Sequence, residues 1–445
     1  MLIYMANKIR NEKTAVKKRN PITNLRRRAN VLLPNAAEWR WCLYDAANSA
    51  FSLIVATTMF PVFYANFILP ENAPSGAATG GVGFANSAAG LAAAFAMPLL
   101  GALADRRGAR KTGVCFAVCT GCICTLLLAA LKPGMTLAAL AVYALAFFSF
   151  TGGNVFYDSL LVDVTERRRM DYISGLGFGI GYIGSVIPFV AVLAAMFKLG
   201  EGGAGFRFAF ILTAAWWAVW SLPLLLGGSG AQKGSVSAAG DTPLTVAALW
   251  RTARDIWRDR NLRTFLCAYF LYIDGVDTLI VMAVPYGDEV GLGTTVMIAV
   301  ILGIQVVAFP CAMLYGVLAS RFGAKRMIGV GISCYGVTVL IASLMPMIPS
   351  RAAKIALFMV LALIVAANQG GIQALSRSCY GKLIPPERAA EYFGFYNIFG
   401  KFAAVMGPAL IGISGLLLGG GQYGMLSLLL LFIAGGWLLC RTRID

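Results

Sequence analysis

The chain has 445 residues, of which 59% are hydrophobic and only 13% charged; its formal net charge is +17 and it contains no histidine. Soluble domains average about 45–50% apolar and about 25% charged residues, so this composition excludes a soluble fold. Without histidine the commonest ligand of zinc and haem is missing, and the Ser, Asp and Lys residues form no recognisable catalytic arrangement. We therefore expect no cofactor, no metal and no enzyme activity.

Apolar runs of about 20 residues recur along the chain, and each is long enough to cross a bilayer as a helix. Apolar and polar residues do not alternate within them, as the strands of a membrane β-barrel would require. The runs lie near residues 40–67, 82–104, 112–131, 136–161, 173–196, 206–227, 262–286, 294–319, 327–347, 353–378, 392–417 and 422–440. This pattern predicts an all-α integral membrane protein with twelve transmembrane helices in two pseudo-symmetric six-helix bundles.

The predicted domains are two bundles joined by a polar linker. Their bounds are 1–38 for a basic cytoplasmic tail, 39–227 for the N-terminal bundle, 228–261 for the linker, 262–440 for the C-terminal bundle and 441–445 for a cytoplasmic tail. In the linker, Trp250, Ala253, Ile256 and Trp257 share one predicted helix face, and arginines lie on the others. Such a helix is expected to lie in the membrane interface, against anionic lipid headgroups, and to tether the bundles.

Lysine and arginine residues are concentrated in alternate gaps between the runs. The opposite gaps hold only Lys132, Lys198, Arg207, Arg351 and Lys354. Basic residues near span ends resist translocation, so both termini and the linker are predicted on the cytoplasmic side of a membrane, which we expect to be a bacterial cytoplasmic (inner) membrane. The net charge then reflects topology and anionic lipid, and no nucleic-acid partner is expected.

A short loop motif occurs twice, each time after the second run of a half. The first copy reads Gly-Ala-Leu-Ala-Asp-Arg-Arg-Gly-Ala-Arg-Lys from Gly101, and the second reads Gly-Val-Leu-Ala-Ser-Arg-Phe-Gly-Ala-Lys-Arg from Gly316. The loop resembles the signature between the second and third helices of the major facilitator superfamily. That resemblance implies transport by rocking of the two halves about a central site.

The motif itself predicts a latch for one access state. Its glycines permit a tight turn, its acid can face the N-terminus of a neighbouring helix, and its basic residues can pair with acids or lipid phosphates. The alternative is a short loop that holds topology by charge. Ser320 replaces the acid in the second copy, so any latch should be asymmetric. The gating residues predicted from both copies are Gly101, Asp105, Arg106, Gly108, Arg110, Arg321 and Gly323.

Several further segments narrow the resemblance. They are Trp41–Phe51, Tyr272–Thr278, Gly371–Arg377, and Tyr392–Tyr396 together with Gly400–Phe402. These segments resemble the vacuole-effluxer branch of the superfamily, the autophagy-related permease family. The resemblance implies efflux of small molecules or amino acids.

Four charged residues lie inside predicted spans: Asp45, Asp274, Asp277 and Lys401. A charge near the bilayer centre costs ~2.5–3.5 kcal/mol even on lenient scales, so these residues, with Asn48, are predicted to couple protons or bind substrate. Asp45 could instead reach water at the cytoplasmic end, and Lys401 either neutralises a span-seven acid or meets a substrate carboxylate. Polar residues expected to line the cavity are Tyr44, Asn154, Tyr157, Tyr272, Gln369, Gln373 and Asn397. Arg377 and Asp158, nearer the span ends, are predicted to serve gating or topology.

The sequence thus predicts a secondary active transporter, acting as a monomer, that exports a small solute by alternating access. An amino acid coupled to protons is the favoured cargo. Transport without a coupling ion, and transport of a lipid-like or drug-like hydrophobic solute, remain open. A nucleotide-driven pump is disfavoured because the Gly-x-x-x-x-Gly-Lys-Ser/Thr loop is missing, and a lipid-modifying membrane enzyme is disfavoured because a clustered nucleophile and base are missing.

Overall fold

The computed structural model describes residues 33–74, 76–199, 203–227, 246–289, 294–418 and 421–444. Within these ranges, side chains are not described at 246–248, 283–289, 294–295, 298, 401–406, 408–409, 412, 415–418 and 421–423. Most of the predicted basic tail, the first part of the predicted linker and the Lys401 side chain therefore lie outside the described residues.

The described residues form twelve long helices and one shorter one. The long helices are α1 Ala36–Ile68, α2 Ala77–Arg107, α3 Arg110–Ala130, α4 Thr136–Val164, α5 Met170–Leu199, α6 Gly203–Leu226, α7 Arg260–Glu289, α8 Thr294–Phe322, α9 Ala324–Leu344, α10 Arg351–Leu383, α11 Ala389–Leu418 and α12 Gly421–Arg441. The linker helix spans Val246–Arg258. Eleven of the twelve, as far as they are described, are long and apolar enough to cross a membrane, and α11 completes the set. The prediction of a twelve-helix membrane fold is confirmed.

One end of the bundle gathers the linker helix, the start of α1 and the end of α12, and we call it the linker side. Asn261 at the start of α7 donates to the carbonyl of Arg443 after α12 at 2.8 Å. Glu38 in the first turn of α1 completes a capping box with Asn35 and pairs with Arg169, just before α5, at 2.8 Å. The first contact joins the start of α7 to the end of α12, and the second joins the start of α1 to the start of α5.

The middle of α1 departs from regular helix geometry. Its turns widen to the π-helical form over Phe51–Met59 and again over Tyr64–Ile68. Wide turns rotate the residues that follow them and are frequent at functional sites. Ser52 and Thr57, which lie within the first of these segments, line the central cavity described below.

Two pairs of helices pack closely across the boundary between the halves, and glycines permit each approach. A Cβ atom on Gly101 of α2 would lie 2.8 Å from the backbone nitrogen of Glu391 in α11. A Cβ atom on Gly316 of α8 would lie 2.9 Å from the carbonyl oxygen of Asp171 in α5. The two contacts are pseudo-symmetric because Gly101 and Gly316 occupy the same place in the repeated motif. Both bring the halves together on the linker side.

The linker helix packs on the bundle through a narrow buried stripe. Thr252 and Ile256 are buried, whereas Trp250 is 68% exposed and Trp257 is 55% exposed. Of the four residues predicted to share one face, Ile256 is therefore turned toward the bundle, whereas both tryptophans stay exposed. At about 100° per residue the tryptophans lie beside the buried stripe and not within it.

Candidate transport cavity and gate

A cavity of about 580 Å³ lies between the two halves. Its walls come from both six-helix units, and its polar lining includes most of the residues predicted for it. Those found in the lining are Asp45, Asn48, Asn154, Asp277, Gln369, Gln373 and Asn397. The Asn48 amide donates to the Asn154 side chain, which joins α1 to α4 at the cavity wall.

Among the side chains that the structure describes, the charged residues of the lining are three acids and one base. Asp45, Asp158 and Asp277 supply the carboxylates, and Arg377 of α10 supplies the guanidinium. Arg377 is 4% exposed, and it pairs with Asp158 at 2.9 Å and with Asp45 at 3.4 Å. It also donates to the hydroxyl of Ser174 in α5 at 2.9 Å. All three partners belong to the first half, so Arg377 ties α10 to α1, α4 and α5.

Aromatic rings enclose the same guanidinium. The Arg377 Cζ atom lies 4.6 Å from the ring centroid of Trp41, 4.5 Å from that of Phe178 and 5.5 Å from that of Tyr157. A cation over an aromatic face gains about 0.5–1 kcal/mol, or about 2 kcal/mol when desolvated. The Trp41 indole is fixed in turn, because it stacks on Tyr157 at 4.5 Å and donates to the Tyr157 carbonyl at 2.9 Å.

Four predicted site residues lie behind the cavity wall. Tyr157 donates its hydroxyl to Asp45 at 2.7 Å, and Tyr44 packs against Tyr157 with the ring centroids 4.6 Å apart. The hydroxyl of Tyr272 lies 2.7 Å from that of Ser376. The prediction that the three tyrosines line the cavity is therefore wrong, since packing against neighbouring side chains buries them.

Asp274 is the fourth of these residues, and its position separates it from Asp277. Its side chain is fully buried and accepts a hydrogen bond from the backbone nitrogen of Gly407 in α11 at 2.9 Å. Asp277 lies in the cavity lining. A step of three residues turns a helix by about 300°, so the two side chains point about 60° apart. This difference is enough for one acid to face α11 and the other to face the cavity. The prediction that the two acids share one helix face is therefore too coarse, because their side chains have different surroundings.

The first copy of the loop motif closes the α2–α11 contact with charge. Asp105 accepts hydrogen bonds from the backbone nitrogens of Ala390 at 3.2 Å and Glu391 at 2.9 Å, in the first turn of α11. A carboxylate at this position is stabilised by the partial positive charge of the helix N-terminus. Arg110 pairs with Asp105 at 2.6 Å and with Asp163 at 2.9 Å, and it donates to a backbone carbonyl just before α11.

Among the residues that the structure describes, the second copy of the motif makes no corresponding charge contacts. Ser320 is exposed and donates to the carbonyl of Val317 in its own helix at 2.6 Å. Arg321 is exposed beside Phe322, with the Cζ atom 5.6 Å from the ring centroid, whereas Arg106 of the first copy is half-buried. Gly108 and Gly323 both have positive φ, at +59° and +92°, but their ψ angles of 31° and 137° differ, so the two copies turn differently.

Sequence reasoning missed a further set of contacts between α5 and α10. Asp171 pairs with Lys382 at 2.6 Å and accepts a hydrogen bond from Ser378 at 2.6 Å. Ser174 donates to the carbonyl of Ala374 at 2.7 Å. The equivalent positions of Asp171 and Glu391 in the two halves were the available signal, because each opens a helix at the boundary between halves. With Arg377, these contacts seal the linker side beneath the cavity.

Comparison with known proteins identifies the family. The family model described as vacuole effluxer Atg22 like matches residues 162–445, which is more than half of the chain. The chain belongs to this family. The uncharacterized transporter YxiO of Bacillus subtilis, of the major facilitator superfamily type, is 38% identical over 402 residues, which cover 89% of this chain and 92% of that protein.

Two further comparisons set the breadth of the similarity. Autophagy-related protein 22-2 of Aspergillus clavatus is 26% identical over 271 residues, or 56% of this chain and 44% of that protein, so this chain matches less than half of its length. The crystal structure of the major facilitator superfamily transporter FucP in the outward conformation has a TM-score of 0.67 at 13% identity, covering 92% of this chain and 98% of that one. The chain is thus a multi-pass membrane transporter with the fold of this superfamily, whose members work by alternating access.

Proposed function

We propose that the cavity carries a small amino-acid-like solute and that proton binding to its carboxylates drives efflux. The observation that carries this proposal is the placement of Asp45, Asp158, Asp277 and Arg377 in one lining. A zwitterion needs an anion for its amine and a cation for its carboxylate, and burial inside a membrane makes each unmatched charge costly. The cavity volume of about 580 Å³ is within the usual range for small-ligand sites.

The coupling step is proposed to act on Arg377. Two carboxylates, Asp45 and Asp158, share its one guanidinium, so the cluster carries excess negative charge at the base of the cavity. A proton on either acid leaves Arg377 with one partner instead of two. That loss weakens the tie between α10 and the first half and favours opening of the linker side.

The proposed orientation follows from the distribution of basic residues. With both termini in the cytoplasm, the sealed linker side faces inward and the cavity is available to the outer side of a bacterial cytoplasmic membrane. Proton entry from outside would then precede opening toward the cytoplasm, which is the order that proton-driven efflux requires.

A hydrophobic solute is the second candidate, and the cavity wall favours it in one region. The lining from α7, α8 and α10 is largely apolar and includes Ile280, Met297, Ile301, Phe358 and Leu361. An apolar wall with a few polar groups is the usual composition of a small-molecule site. A solute that combines an apolar body with an amine would use both regions.

The test is uptake of labelled amino acids into proteoliposomes, with and without an imposed pH gradient. Asp45→Asn is expected to reduce proton-driven accumulation and to spare exchange, because the amide cannot bind a proton. Asp274→Asn is the matched control, since it removes a buried acid that lies outside the cavity lining.

Three outcomes would count against the proposal. Proton-driven accumulation that is unchanged in Asp45→Asn but lost in Asp274→Asn would move the coupling site to the contact between α7 and α11. Transport of apolar amines with no transport of any amino acid would favour the second candidate. If no small solute of either kind is transported, both candidates are wrong.

A further inference from the structure

The linker helix presents three distinct faces. Its buried stripe contains Thr252 and Ile256, which pack on the bundle. The outer face of the helix, away from this stripe, consists of Trp250, Arg251, Arg254, Trp257 and Arg258, and Asp255, which is also exposed and pairs with Arg388, lies at its edge. At about 100° per residue, the two tryptophans form one strip of this face and the three arginines form the strip beside it.

This arrangement matches a helix lying at a membrane surface. Tryptophan is enriched at the level of the lipid headgroups, and arginines beside it are attracted to anionic lipids. Asp259 alone separates the linker helix from α7, which begins at Arg260, so the outer face is held at the end of a membrane span. Arg263 in the first turn of α7 adds a positive charge beside Trp257, 5.9 Å from its ring centroid.

The buried stripe of the same helix is connected to the latch between α2 and α11. Thr252 donates its hydroxyl to the side chain of Glu391 and accepts a hydrogen bond from Arg388. Arg388 also pairs with Glu391 at 3.0 Å and with Asp255 of the linker helix at 3.7 Å. The backbone nitrogen of Glu391 is one of the two that donate to Asp105. Glu391 thus contacts the linker helix through its side chain and Asp105 of the latch through its backbone nitrogen.

We propose that the outer face docks on the anionic headgroups of the surrounding bilayer and that this docking stabilises the α2–α11 latch. Docking holds the linker helix in place. Thr252 then holds Glu391 and Arg388 in the positions in which the backbone nitrogen of Glu391 donates to Asp105. A ligand that binds one state better than another shifts the equilibrium toward it, so anionic lipid favours the state with a closed linker side. The inference relies on alternating access and is independent of the solute and of proton coupling.

The test is hydrogen–deuterium exchange of the full chain in nanodiscs of phosphatidylcholine alone or mixed with phosphatidylglycerol. Amide protection is read in two segments, 249–258 in the linker helix and 389–395 at the start of α11. We expect phosphatidylglycerol to raise protection in both. An arginine near an anionic surface contributes about fivefold in affinity, so the triple variant R251Q/R254Q/R258Q is expected to lose the effect in both segments.

Two variants separate docking from its connection to the latch. Thr252→Val keeps the outer face but removes the hydroxyl, so lipid should still protect the linker helix while the start of α11 stops responding. Arg207→Gln removes one exposed charge at the opposite end of the bundle and is compared with Arg254→Gln. We expect a weakened lipid response from Arg254→Gln and an unchanged response from Arg207→Gln.

The proposal is overturned if phosphatidylglycerol leaves the linker helix unprotected, or if the triple arginine variant responds as the wild type does. A response at 389–395 that survives in Thr252→Val would overturn the connection to the latch. Each result is obtained without a transported solute, so it stands apart from the test of the proposed function.

Discussion

Arg377 is the residue whose replacement should change the conformational equilibrium most. Arg377→Gln leaves Asp45 and Asp158 buried without their shared cation, and it removes the side chain enclosed by Trp41 and Phe178. Removing one partner of a buried ion pair costs about 3–5 kcal/mol, and the lower figure corresponds to about a hundredfold change in an equilibrium constant. Asp45, Asp158, Trp41 and Phe178 all lie in the first half, whereas Arg377 lies in the second. The substitution therefore destabilises the state with a closed linker side.

The expected result is faster hydrogen–deuterium exchange at residues 170–178 of α5 and 374–382 of α10. Arg169→Gln is the comparison variant, because it removes an ion pair with Glu38, which belongs to the same half. The double variant D158N/R377Q should recover part of the protection, since it restores the net charge of the cluster. The reasoning is refuted if Arg377→Gln leaves both segments as protected as in the wild type, or if Arg169→Gln exposes them equally.

Three smaller changes test the latch. Gly101→Ala forces a Cβ atom against the first turn of α11 and should cost about 1–3 kcal/mol of closure, seen as exchange at 389–393. Asp105→Ala removes a charged cap worth about 1–2 kcal/mol and should deprotect the same residues about tenfold, whereas Ser320→Ala at the equivalent position should not. Ser320→Asp should add a cap opposite α5 and protect residues 170–174 a few-fold; deprotection there would show that the halves differ in more than this residue.

The sequence was sufficient for the fold because its signals there are repeated many times. Twelve apolar runs each meet the length that a bilayer imposes, and an error of a few residues at one end leaves the helix count unchanged. The two copies of the loop motif, beginning at Gly101 and Gly316, added the pseudo-symmetry. The contact of Asp105 with the N-terminus of α11 was also predicted, because an acid at the end of one helix and the absence of that acid in the other copy are local features.

The site was harder to predict because it depends on which way single side chains point. Asp274 and Asp277 are three residues apart, yet one meets the backbone of α11 and the other the cavity. Tyr157 was expected in the lining but orients Asp45 from behind it. Arg377 has an unremarkable position near a span end, and its role emerges only when α1, α4 and α5 converge on it. Such contacts join residues far apart in sequence, where periodicity carries no information.

The contacts that seal the linker side also explain why closure should be cooperative. Arg377 lies deepest, Asp171 and Lys382 join α5 to α10 beside it, and Asp105 caps α11 on the other flank. In all three the second half contributes residues of α10 or the first turn of α11. A rigid movement of that half therefore breaks the three contacts together, whereas a proton on Asp45 weakens only the deepest one directly. Protonation of Asp45 alone can open the gate only when the Asp171–Lys382 pair and the Asp105 cap are each weak. The two contacts should therefore be varied separately.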